Sequence, residues 1–128
     1  MNSKFLLIVA CSLFYSIDGF TNEANILKVD VSKISTSTYR FDVTVLHKDT
    51  GWDHYVNKWD IVDLQNNLLA TRILYHPHVD EQPFTRSLSD IHISDNINVV
   101  KVRAHDLIHG YGGKELTVTL PKFSVLPE

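Results

Sequence analysis

Six of the seven histidines in the sequence fall in three short stretches. His47 and His54 flank Trp52, His76 and His78 precede Asp80 and Glu81, and His105 and His109 accompany Asp106 and Tyr111. In His76-Pro77-His78 the proline holds the backbone extended, so both rings project to one side and can approach a single ion. His105 and His109 flank the start of a loop closed by Gly110 and Gly112-Gly113, where backbone freedom can fold the second imidazole toward the first. With His54, these four form the candidate ligand set. The single cysteine, Cys11, and the single methionine, Met1, both lie at the N-terminus. A site built from the rest of the chain has only imidazole and carboxylate donors, which suits Zn or Cu(II) rather than Cu(I) or an iron–sulfur cluster.

The same residues support a second reading. Loop histidines often serve only as surface groups or local hydrogen-bonding partners, and Trp52, Tyr75, Phe84 and Tyr111 would then be aromatic anchors for a partner protein. Asp80, Glu81 and Asp106 read as turn formers or as salt-bridge partners of Arg86 or Lys48. A catalytic constellation is not apparent. His105 and Asp106 are sequence neighbours, which is not how an aspartate orients a catalytic histidine, and neither a cysteine nor a serine elbow offers a nucleophile. Metal-assisted hydrolysis at an open zinc position is the remaining catalytic route. The formal charge of −3 is spread along the chain, which argues against nucleic acid as a partner.

The elements that must position these residues are strands. Leu27, Val29 and Val31 alternate with Lys28, Asp30 and Ser32, and Tyr39, Phe41, Val43 and Val45 alternate with Arg40, Asp42 and Thr44. Such alternation buries one face and wets the other. Further strands are predicted over Tyr55–Asp63, Leu68–Leu74, Phe84–Ile93, Ile97–Ala104 and Glu115–Leu120, and no stretch has a helical period. Seven short strands in about a hundred residues point to an all-β, antiparallel β-sandwich of the immunoglobulin-like or fibronectin type III-like kind, with Trp59 in its core. A cysteine pair across the sheets is lacking, which favours the fibronectin-like variant. In an up-and-down run of strands, alternate connections share one end of the sandwich. One pole then receives the bland turns Ser35–Thr38, Gln65–Asn67 and Ser94–Asn96, and the other receives all three histidine stretches.

Ahead of the strands, Lys4 precedes an apolar run from Phe5 to Ile17 and then Asp18-Gly19, the layout of a secretory signal. We assign residues 1–19 to a signal peptide and residues 20–128 to one sandwich domain, exported to the periplasm or secreted, with no membrane span after cleavage. Ile8-Val9-Ala10-Cys11 has the outline of a lipoprotein processing site, but only six apolar residues would precede that cut, so the cleavage is placed before Phe20. Without a cysteine in the mature domain, the hydrophobic core must carry stability by itself.

Three stretches carry a resemblance: Gly51-Trp52-Asp53-His54-Tyr55, the run from His76 to Arg86, and Val102-Arg103-Ala104-His105-Asp106 with His109-Gly110-Tyr111-Gly112-Gly113. From Tyr39 onward the chain resembles an uncharacterised family of small exported bacterial proteins. The resemblance implies export and no particular chemistry.

Overall fold

The structure is a computed structural model that describes residues 22–123. The expected signal segment 1–19, with Cys11 and the cleavage point before Phe20, lies outside the described residues. Seven strands follow in order: β1 (Asn25–Ser35), β2 (Thr38–Leu46), β3 (Val56–Val62), β4 (Leu68–Ile73), β5 (Phe84–His92), β6 (Val99–Asp106) and β7 (Leu116–Thr119). They form a three-stranded sheet, β1-β2-β5, and a four-stranded sheet, β4-β3-β6-β7, in which every pairing is antiparallel. No helix occurs among the described residues.

Period-two burial explains why the two sheets pack. On β2, Tyr39, Phe41, Val43 and Val45 are buried, and on β6, Val100, Val102 and Ala104 are buried. Together with Val56, Trp59, Ile61, Phe84 and Ile91 they make one apolar core, with Trp59 fully buried. Strand β1 departs from the simple alternation. Its register with β2 shifts between Ile26 and Lys28, so Ile26 is buried, Leu27 is turned outward, and Val29 and Val31 pack against the core from the re-phased strand.

Two of the buried stripes do not stop where the apolar residues stop. The inward series on β2 continues past the strand to His47 and Asp49, and that on β6 ends on Asp106; all three are buried. These positions face the interior for the same geometric reason as the valines before them, so the polar chemistry begins directly at the end of the core.

Candidate metal centre

Three connections supply the site: residues 47–55 between β2 and β3, 74–83 between β4 and β5, and 107–115 between β6 and β7. The first turns back on itself at Gly51, whose φ of 148° few other residues adopt. There His54 N donates to Gly51 O at 3.1 Å and Thr50 N donates to His54 O at 3.1 Å. That reversal lays the His54 ring against His47, with ring centroids 4.7 Å apart. The third connection closes at Gly110 (φ 65°), which exchanges two backbone hydrogen bonds with Asp106. The second is tied to the first by Gln82, which accepts from His47 N at 2.9 Å and donates to His78 O at 2.9 Å.

Asp49 orients the centre. Its Oδ1 accepts from Val56 N at 3.2 Å and meets His47 Nδ1 at 2.5 Å, while its Oδ2 accepts from His78 N at 2.7 Å. A carboxylate on Nδ1 holds the proton on that side of the His47 ring, leaving the Nε2 lone pair directed away from Asp49. His47 Nε2 lies 3.2 Å from His54 Nε2 and 3.8 Å from Asp106 Oδ2, and His54 Nε2 lies 3.1 Å from Asp106 Oδ1. One donor atom from each of His47, His54 and Asp106 falls within 4.8 Å of the others. Two nitrogens bound to one tetrahedral zinc at ~2.0–2.1 Å are about 3.3 Å apart, so the imidazole separation already suits a shared ion.

Asp106 adds the charge. Its Oδ1 accepts from Ile108 N at 2.9 Å and His109 N at 2.7 Å, whereas its Oδ2 is buried with no hydrogen-bond partner. Burial alone would raise the Asp106 carboxyl, but the amides of His109 and Ile108, with the imidazoles of His47 and His109, outweigh it and hold the group below its ordinary value. The side chain is therefore an anion with one oxygen uncommitted. An unpaired buried carboxylate is costly, and a cation at Oδ2 offsets that cost. His109 borders the cluster with Nδ1 3.4 Å from Asp106 Oδ1 and its ring centroid 5.1 Å from that of His54, within reach of a fourth position.

The five histidines chosen from sequence divide. His54 stands in the cluster and His109 at its edge. His78 is buried on the far side of Asp49, stacked on Phe84, and His76 is exposed beside it with 4.7 Å between ring centroids. His105 points to the outer face of the four-stranded sheet, where Nδ1 meets Asn57 Oδ1 at 2.6 Å and the ring packs on Tyr111. Inward and outward positions alternate on β6, so His105 and Asp106 face opposite ways, and it is Asp106 that the structure places beside His109. Sequence reasoning took Asp106 for a turn former, which it also is, and left His47 out of the ligand set and Asp49 out altogether. The available signal was their continuation of the β2 and β6 stripes.

The four aromatic residues also separate. Trp52 and Tyr75 are exposed, Tyr111 is half-buried and donates to Asp60 Oδ2 at 2.6 Å, and Phe84 is a core residue at 1% exposure. Phe84 is thereby corrected from partner contact to the floor beneath His78.

No family model matches the chain, and no solved structure matches it. The chain is 38% identical over 96 residues to a curated protein of Halomicrobium mukohataei described as "Putative lipoprotein". The match covers 75% of this chain and 47% of that relative, so the chain spans about half the relative's length.

Proposed function

We propose that this protein is an exported β-sandwich module that holds one divalent metal ion, Zn or Cu(II), at its histidine-rich pole. His47 Nε2, His54 Nε2 and Asp106 Oδ2 are the ligands, His109 or water completes the shell, and Asp49 orients His47. The observation that carries the reading is the uncommitted, buried Asp106 Oδ2, 3.8 Å from His47 Nε2, in a carboxylate whose other oxygen lies 3.1 Å from His54 Nε2, with the two imidazole nitrogens 3.2 Å apart. The strand order β1-β2-β5 against β4-β3-β6-β7 supports a fibronectin type III-like arrangement for the module. Export is supported by the signal-like N-terminus and by the description of the Halomicrobium mukohataei relative. No helix of the described residues is long and apolar enough to cross a membrane. Both supports fit a family of small exported proteins.

Calorimetric titration of the metal-free domain with Zn(II) and Cu(II) tests the assignment. Saturable binding at one ion per chain is expected, lost in His54→Ala and retained in a His76→Ala/His78→Ala double variant. Loss in the double variant with retention in His54→Ala would move the site to the other histidine pair. The exposed Trp52 and Tyr75, at 66% and 75% exposure, favour a second reading in which the same loops also contact a partner polypeptide.

A further inference from the structure

A cavity lies on the His78 side of Asp49, and its chemistry is of the opposite sign to that of the proposed metal centre. It encloses about 80 Å³, against the ~10–15 Å³ that one water needs on this measure, and Arg72, Tyr75, His76, His78 and Arg86 line it. The guanidinium of Arg72 is fixed by Nε donating to Ser87 O at 2.9 Å and Nη1 donating to Ile73 O at 2.5 Å. His78 has a side chain only 4% exposed, and neither of its ring nitrogens has a hydrogen-bond partner. A neutral imidazole carries one N–H, and with Nδ1 4.0 Å from Asp49 Oδ2 the ring brings a buried polar group without a hydrogen-bond partner to the cavity wall. Two guanidiniums beside it make a cation an unsuitable occupant and an anion a suitable one.

We infer that this cavity binds a small oxyanion, of phosphate or carboxylate chemistry, between Arg86, Arg72 and the His78 ring. The protein already supplies an internal competitor. Glu81, an exposed residue of the same connection, accepts at Oε1 from Arg86 Nη2 at 3.0 Å, so this guanidinium already donates to a carboxylate. Burial first, and then Arg86 and His76, lower the His78 pKa against the opposing pull of Asp49 and Glu81. The site is distinct from the metal centre and is joined to it through Asp49, which holds His78 N with one oxygen and His47 Nδ1 with the other, and through Gln82, which bridges His47 N and His78 O.

The test is an NMR titration of the metal-free mature protein with inorganic phosphate and, separately, with acetate, following the His78 ring. Saturable shifts at His78 are expected with at least one anion, and which anion gives them assigns the ligand class. Arg86→Gln should weaken binding by about tenfold or more, the scale of a charge-assisted hydrogen bond. Glu81→Gln should tighten it, because the competing carboxylate is gone. His54→Ala should bind the anion as the natural chain does, which separates this site from the metal reading. Absence of saturation with both anions, unchanged affinity in Arg86→Gln, or weaker binding in Glu81→Gln would each overturn the inference.

Discussion

Asp63 and Asp106 stand at opposite ends of the sandwich and perform the same local task. Each heads a tight turn after a strand of the four-stranded sheet. Asp63 Oδ1 accepts from Gln65 N and Asn67 N, both at 2.9 Å, as Asp106 Oδ1 accepts from Ile108 N and His109 N. The difference is in the second oxygen. Asp63 Oδ2 accepts from Asn67 Nδ2 at 3.0 Å beside solvent, whereas Asp106 Oδ2 is sealed in the interior, without a partner, next to His47 and His54. Turn chemistry thus accounts for the whole of Asp63 and only half of Asp106. What makes a candidate metal ligand out of a turn-forming aspartate is the inward phase of β6, which carries it below the surface.

The strongest way to break this comparison is to neutralise each aspartate in turn. Asp106→Asn should weaken Zn(II) binding by more than the roughly 100-fold upper range seen for outer-shell changes, because it removes both a ligand and the centre's charge. Asp63→Asn should leave the affinity unchanged. Calorimetry on both variants decides; equal effects would mean that Asp106 is only a turn former. Next in size, Asp49→Asn should cost about 10–100-fold in affinity, since it frees the His47 ring to change tautomer while leaving all ligands present.

The core and much of the strand plan could be read from period two alone, because Tyr39, Phe41, Val43 and Val45 announce their face by contrast with polar neighbours. The proposed metal centre was harder to read for a related reason. His47, Asp49 and Asp106 occupy inward positions, but a polar residue at an inward position looks in sequence like the end of the strand, so the apolar pattern closes just where the candidate site starts. The gathering of three loops at one end follows from antiparallel direction and was readable; the choice among their histidines was not. His105 and Asp106 are neighbours in sequence and face opposite sides of a sheet, while His47 and Asp106 are distant in sequence and nearly touch. The bulge at Leu27 was equally hidden, because re-phasing β1 depends on its pairing with β2 and not on β1's own residues.

A smaller effect separates the two ends by pH. Burial, with Arg86 and His76, holds the His78 pKa below its ordinary 6.5, so the folded protein binds the proton less readily than the unfolded chain does. The stability this contributes is present above about pH 6.5 and is lost as the pH falls from there through the lowered folded value. Denaturant unfolding of the metal-free protein should show that decline between pH 6.5 and the lowered value, and His78→Gln should flatten it. At the other end, hydrogen bonds from Asn67 lower the Asp63 pKa, so its contribution is present above the ordinary carboxylate range and fades as the pH falls through the folded value. Asp63→Asn should remove that share of the acid-range dependence, leaving the share carried by Asp106 and the histidine-range one intact.

Anomalous diffraction at the zinc edge from crystals of the Zn(II)-loaded domain bears most directly on the central claim. The account predicts one strong peak about 2.0–2.2 Å from His47 Nε2, His54 Nε2 and an Asp106 carboxylate oxygen, the usual zinc-ligand distances. A peak on His76 and His78 instead, or no peak at the buried cluster in crystals that bind zinc elsewhere, would contradict it.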